Sequence, residues 1–300
     1  MTTWLDAPFH MRFLVIDGLT VRFAQSRLAP GGRREQEHAL LLSPWPESLL
    51  AFEPIWTPLA ERAHLVAIDL PGFGRSQHRD ALLSPQAMSE FIIAAADAFE
   101  LEHPHLVAPG TGTPAALFAA ARHPDRLRSL VVGSAAAAVP LLGSPLRDWI
   151  EAPDLEAFRR ADPRQLVAGV LASMKRSVTA EAVLEDYLAS GQGSRLAESM
   201  RYVRAYPAEL PVLASLLPQI RTPVQIIAGA CDTAVPLANA EFMAERLPHR
   251  RLDILEAGHF TWEDSADEYA ALVTGWWSAV TGTPAGIAGY PTSSRRGSAR

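Results

Sequence analysis

Hydrophobic positions in this chain fall into short continuous apolar runs separated by longer stretches of helical spacing. Two runs near the N-terminus, 12–16 (Arg-Phe-Leu-Val-Ile) and 20–24 (Thr-Val-Arg-Phe-Ala), flank Asp17-Gly18. That dipeptide supplies the positive φ of a two-residue turn, so the pair predicts a hairpin. A polar loop over 29–36 follows, and 38–42 predicts a buried strand that stops at Ser43-Pro44-Trp45-Pro46. Helical spacing covers 49–63, and another buried strand is expected over 64–68. It ends in a loop dense in turn residues, 69–76. Ser84 is placed to cap a helix whose first residue is Pro85 and which runs to about 101.

The next unit has an apolar run at 106–108, a turn of small residues at 109–113, and an Ala-rich helical pattern over 115–121. A further strand is expected at 128–133. From about 140 to 219 the spacing is helical throughout, with helices predicted at 154–160, 163–174, 180–190, 195–203 and 209–216. Strands return at 224–228 and 252–255, with helices at 237–247 and 265–280. Alternating strands and helices of these lengths predict a mostly parallel sheet covered on both faces. The all-helical block reads as an insertion into that sheet. The expected division is a core of 1–137 and 220–282, a helical cap of 138–219, and a disordered tail at 283–300, rich in Gly, Pro, Ser and Arg. The Arg295-Arg296 pair in that tail reads as solvated.

Composition narrows the function. The chain has 300 residues, 48% of them hydrophobic, enough for one large domain with an inserted lobe. The net charge of −6 gives no basic footprint for nucleic acid. The single cysteine, Cys231, excludes an intramolecular disulfide and fits a reducing compartment. The first ten residues lack the apolar core of a signal peptide. No run approaches the ~18 apolar residues of a membrane span. A cytoplasmic protein acting on a small molecule is expected, with no membrane or nucleic-acid partner; oligomeric state is left open.

Strand, sharp turn and helix at 106–121 form the context of a nucleophile elbow, G-x-S-x-G. The frame here is Ala108-Pro109-Gly110-Thr111-Gly112, so the nucleophile's own position is Gly110, which has no side chain to attack with. Thr111 and Thr113 are the nearest hydroxyls, but moving the frame by one residue would misplace the small residues. A helix-start threonine more often caps or points aside. Cys231 beside Asp232 is disfavoured as a thiolate and reads as a small packed residue.

Several separated motifs, in order, carry a resemblance to the α/β-hydrolase fold over nearly all of 10–280. Asp69-x-Pro71-Gly72-x-Gly74-x-Ser76 resembles the family's loop after its fourth strand. Ala230-Cys231-Asp232-x-x-Val235-Pro236 resembles the acid loop, and Ala257-Gly258-His259-Phe260 the histidine loop. The resemblance implies an eight-stranded, mostly parallel sheet with an inserted helical cap. It makes Asp232 the orienting acid and His259 the general base. The oxyanion donors would be the N–H groups of Trp45 and Thr111; Pro44 removes only its own. Pro46 is similar to the His-Gly-x-Pro form of epoxide hydrolases and haloalkane dehalogenases, whose nucleophile is aspartate. Tyr202 and Tyr206, four apart, could present hydroxyls from one helical face as cap tyrosines of epoxide hydrolases do, although packing into the cap interface is the commoner role. Trp45, Phe73, Trp149 and Trp262 would line an apolar pocket, while Trp276 and Trp277 belong to the core. No metal or organic cofactor is implied, because no ligand cluster or dinucleotide fingerprint is present; Gly72-x-Gly74 lacks the third glycine and the helix start. Gly110 leaves three readings open. One is an enzyme using His259 directly as a base, one is an inactive relative that binds a ligand, and one is an altered copy of an aspartate-nucleophile enzyme.

Overall fold

A computed structural model describes residues 9–27, 37–144 and 146–282. The predicted loop at 29–36 and the tail at 283–300 lie outside the described residues, as does most of the N-terminal segment. The apolar runs form eight strands: β1 (Met11–Ile16), β2 (Leu19–Gln25), β3 (Glu37–Leu42), β4 (Ala63–Ile68), β5 (His105–Pro109), β6 (Ser129–Gly133), β7 (Val224–Gly229) and β8 (Arg250–Leu255). They make one sheet in the order β1-β2-β4-β3-β5-β6-β7-β8. β1 and β2 join antiparallel, and every pairing from β4–β3 onward is parallel. The central strands β4 to β7 are buried along their whole length. This explains why they read as unbroken apolar runs rather than alternating ones.

Three helices, α1 (Glu53–Ala60), α2 (Pro85–Ala98) and α3 (Gly112–Arg122), connect the strands up to β6. Six more separate β6 from β7: α4 (Leu146–Glu151), α5 (Glu156–Arg160), α6 (Pro163–Met174), α7 (Glu181–Ser190), α8 (Arg195–Arg204) and α9 (Tyr206–Leu216). The chain continues with α10 (Ala238–Arg246), α11 (Thr261–Asp264) and α12 (Ala266–Gly282). α1 packs on α12 and α2 on α3, and Trp276 and Trp277 are buried on the inner side of α12. No helix among the described residues is long and apolar enough to cross a membrane.

Some boundaries differ from the sequence pattern. The helix expected over 49–63 is a 3-10 turn, Leu49–Phe52, followed by α1. Ser48 caps the turn and Pro54 sits at the start of α1, so the backbone re-initiates there. Helix α3 begins three residues earlier than its Ala-rich run, at Gly112. Tyr202 and Tyr206 sit on the two sides of a helix junction, and their rings still meet edge to face at 5.9 Å. Tyr202 lies in α8 and Tyr206 opens α9, with Ala205 between them and Pro207 restarting the helix.

The Asp69–Ser76 loop is an anchor for the inserted helices. Asp69 is fully buried and accepts from the N–H groups of Leu49 (2.8 Å) and Arg75 (2.8 Å), and from Nε of Arg22 at 2.6 Å. A Cβ at Gly74 would lie 2.1 Å from that carboxylate, so only glycine lets the loop close over it. Arg22 also forks onto Asp186 of α7 at 2.8 and 2.9 Å, joining core to insertion through one buried guanidinium. Although burial disfavours its charge, the two carboxylates together raise the Arg22 pKa.

Candidate active site

The C-terminal ends of β3, β5, β6, β7 and β8 meet at one cleft, the place where parallel α/β sheets bind ligands. At its centre the chain leaves β5 through Gly110, whose φ is +57° and whose N–H donates to Gly133 O at 2.9 Å. This is the strained turn that a nucleophile elbow requires. A Cβ built there meets nothing nearer than Pro44 at 3.8 Å and Trp262 Cη2 at 4.0 Å, so it would not clash, although the positive φ strains any residue but glycine.

Asp232 and His259 come together beside it. His259 Nδ1 lies 2.7 Å from Asp232 Oδ2, and the other carboxylate oxygen accepts from the N–H groups of Ala234 (3.0 Å) and Val235 (2.8 Å). Because an ionised carboxylate only accepts, this contact requires the proton on Nδ1. The histidine loop is held by Asp264, which accepts from Gly258 N–H. It also accepts from the N–H groups of Arg176 and Ser177, just past α6, at 2.9 and 2.8 Å. His259 N–H donates to Met174 O. His259 is thus positioned from both the sheet and the insertion.

Trp45, Thr111, Trp149, Tyr206 and His259 line the cleft. The N–H groups of Trp45 and Thr111 have no acceptor among the described residues, as oxyanion donors would require. Trp45 and Trp149 meet edge to face at 5.7 Å, and the Trp45 indole N–H donates to Ser199 Oγ at 2.8 Å. Three expected pocket residues stand behind this lining. Tyr202 is fully buried and spends its hydroxyl on Thr111 O at 2.8 Å, so it buttresses the elbow instead of facing a ligand. Phe73 packs edge-on against Tyr202 and lines a smaller cavity that shares Trp45 and Pro46 with the cleft. Trp262 is buried and donates its indole N–H to Glu47 Oε2 at 3.1 Å.

The neighbouring hydroxyls divide. Thr113 Oγ1 donates to Ala108 O at 2.7 Å and accepts from Gly133 N–H at 3.1 Å, so it is consumed by the backbone. Thr111 Oγ1 is buried without a partner and forms no cap bond. Cys231 is exposed, not packed as expected, because it sits at the turn that follows β7. Sequence reasoning missed Ser134, which lines the cleft one residue past β6 with φ +44°. The available signal was a Gly-Ser step at the C-terminal end of a strand beside the elbow strand.

A second series, Ser129 Oγ to His105 Nδ1 (2.8 Å) and His105 Nε2 to Glu37 Oε2 (2.7 Å), has the composition of a hydrolytic triad. These are the first residues of β6, β5 and β3, at the far end of the sheet, and Ser129 and His105 are wholly buried. Without access for a substrate it is structural.

Beneath Trp262 lies a buried acid pair. Glu263 Oε1 takes Lys175 Nζ at 2.7 Å and the Tyr187 hydroxyl at 3.2 Å. Burial pushes the Glu47 carboxyl well above its ordinary 4.5, and the adjacent Glu263 pushes it further. A carboxyl raised in the folded state stabilises the fold fully below its ordinary value. That contribution is lost as pH rises through the folded value, at up to ~1.4 kcal/mol per pH unit. Glu47→Gln keeps the acceptor for Trp262 and cannot ionise. It is expected to flatten the fall of Tm between pH 5 and pH 8 and to melt higher than the parent at pH 8. Parallel Tm–pH curves would show that Glu47 carries no such proton.

A mostly parallel sheet with an elbow after β5, an acid loop after β7 and a histidine loop after β8 defines an α/β hydrolase. The chain belongs to the alpha/beta hydrolase family, whose sequence profile matches residues 38–272. It is 28% identical over 286 residues to a pimeloyl-[acyl-carrier protein] methyl ester esterase of Neisseria meningitidis serogroup A, covering 88% of this chain and 87% of the relative. Two solved structures share the fold. A haloalkane dehalogenase loop variant from Bradyrhizobium elkanii superposes with a TM-score of 0.74 at 21% identity, covering 91% of this chain and 97% of its own. An epoxide hydrolase from Vigna radiata also gives 0.74, at 15% identity, covering 91% and 98%.

Proposed function

We propose that this α/β-hydrolase-family chain is an enzyme acting on a small, largely apolar molecule, with the Asp232–His259 dyad as general base and no covalent intermediate at position 110. The observation that carries this reading is the 2.7 Å Nδ1–carboxylate contact in a cleft that also holds the side-chain-free elbow. An intact dyad beside an empty nucleophile position suits a base that activates water, or one that removes a proton in an elimination or cyclisation. General acid–base catalysis supplies ~10²–10⁴-fold, enough for a reactive ester- or epoxide-like group. The helices between β6 and β7 act as a cap, and Trp45, Trp149 and Tyr206 hold the apolar body of the substrate. Trp45 and Thr111 N–H groups receive its developing negative charge.

A Gly110 Cβ would meet only van der Waals contacts and no clash, which favours one further reading, that the chain is an altered relative of a covalent enzyme. Turnover of esters, epoxides and haloalkanes by the native protein, with Gly110→Asp and Gly110→Ser beside it, separates the two. The general-base reading expects the native protein to turn over at least one substrate and neither variant to gain on it. Activity confined to the Asp variant on epoxides or haloalkanes, or to the Ser variant on esters, would replace that reading with the altered-relative one. In such enzymes the nucleophile alone is worth ~10⁶ in turnover.

A further inference from the structure

The edge of the sheet carries an apolar strip that the cleft does not account for. Of the five large hydrophobic side chains exposed among the described residues, three are Met11, Phe13 and Val15 of β1, at 44, 58 and 66%. β1 is the outermost strand, paired among the described residues with β2 alone. Its neighbours in β2 show which way its backbone groups point. Phe13 stands opposite Arg22, and Val15 opposite Thr20. Arg22 turns away from β1, its N–H donating to Ser76 Oγ at 2.8 Å and its carbonyl accepting from Asp69 N–H at 3.0 Å. Thr20 does the same with Gln77: its N–H donates to the side-chain oxygen at 3.1 Å and its carbonyl accepts from the backbone N–H at 2.8 Å. In an antiparallel ladder both residues of such a pair face away from each other. The N–H and C=O groups of Phe13 and Val15 therefore point off the edge, and those of Met11 follow by the two-residue period. The free hydrogen-bonding groups and the exposed apolar side chains belong to the same three residues.

Natural edge strands commonly block strand addition with a charge, a proline or a bulge. β1, Met-Arg-Phe-Leu-Val-Ile, is in unbroken register with β2 and contains no proline. Its one charged residue, Arg12, is turned back over the Phe23 ring at 5.0 Å and donates to Gln25 Oε1 at 3.1 Å. We infer that β1 is a self-pairing edge, through which two copies of this chain join antiparallel about Phe13 and make their two sheets continuous. That register sets Phe13 against the partner's Phe13 and Met11 against the partner's Val15. It pairs the outward groups of all three residues and lays their side chains together on one face. A slip of one residue would oppose these groups to ones already bonded to β2. A second copy is thus the occupant that uses every free group and opposes apolar to apolar. Strand addition alone lies at the small end of protein interfaces, so the dimer is expected to dissociate at about 10–100 μM.

Sedimentation equilibrium of the full chain tests this. The native protein is expected to pass from monomer to dimer across that range. Phe13→Lys opposes two ammonium groups at the two-fold axis and is expected to raise the dissociation constant at least about tenfold. Phe13 is more than half exposed, so this variant should keep its Tm within about 2 °C of the parent. Disulfide formation in a Cys231→Ser background reads the register, and it decides independently of whether the lysine variant folds. Phe13→Cys is expected to crosslink to itself, because paired Cα atoms in such a ladder lie about 5.5 Å apart. Val15→Cys, four residues out of step with its own copy, is expected to crosslink only when mixed with Met11→Cys. A native chain that stays monomeric well above that range, whatever else occupies the edge, would overturn the pairing. So would a dimer indifferent to Phe13→Lys, or Val15→Cys crosslinking to itself as readily as Phe13→Cys.

Discussion

A His259→Ala protein is expected to lose ~10²–10⁴-fold in turnover while keeping its fold and its affinity for a non-reacting cleft ligand. The size follows from what the imidazole alone supplies here. On the reading proposed above no covalent step at position 110 sustains partial reaction, so Nε2 is the base that must act. The fold should survive, because His259 lies at the cleft wall and its loop is held through backbone groups by Asp264 and Met174. Asp232 keeps its two backbone donors when the ring is gone, so the truncation does not strand a bare carboxylate. Asp232→Asn is the sharper companion. It preserves volume and can present an NH₂ group to Nδ1, which turns the ring to the tautomer whose Nε2 carries the proton and cannot act as a base. Loss in both variants at unchanged ligand affinity would locate the defect in proton transfer. Full activity of His259→Ala would end the base assignment.

The dyad was legible because its chemistry needs few residues in fixed loops after buried strands, and both loops carry local signatures. Asp232 and His259 lie 27 residues apart yet meet because β7 and β8 are parallel neighbours. The sharp turn at Gly110 was legible for the same reason, since its positive φ joins a buried strand to a helix. Residues whose role depends on rotamer or helix ends were not. Tyr202 and Tyr206 fall in one stretch of helical spacing, and nothing in it reveals that Tyr202 turns its hydroxyl onto Thr111 O while Tyr206 lines the cleft. Phe73 and Trp262 belong by type to an apolar pocket, but their neighbours turn them behind its wall. Cys231 reads as packed because small apolar residues usually are; its exposure comes from the turn it occupies. The least legible group is Arg22, a charged residue in a strand that alternation would place toward solvent.

Arg22→Met is expected to destabilise the protein by about 3–5 kcal/mol, the cost of removing one partner from a buried ion pair. The guanidinium is the cation that Asp69 meets at 2.6 Å, and it faces Asp186 across the junction with α7. Burial raises the Asp69 carboxyl even with Arg22 present, so its charge is already held at a cost. Methionine retains much of the apolar stem but returns nothing to either carboxylate. Asp69 would keep the N–H groups of Leu49 and Arg75, and Asp186 the Ser48 hydroxyl at 2.6 Å. These hydrogen bonds limit the loss without supplying a positive charge, and Arg75, 3.3 Å from Asp186, is too exposed to substitute. Thermal melting should show a fall on the order of 10 °C. Adding Asp69→Asn should restore part of it, because the buried charge that lost its partner is then gone. Since Asp186 belongs to the helices between β6 and β7, proteolysis within that segment should also begin at lower protease concentration. A loss below about 1 kcal/mol would place the bridge among pairs that solvent already screens, and the anchoring of the insertion would then rest on Asp264 and the Lys175–Glu263 contact instead.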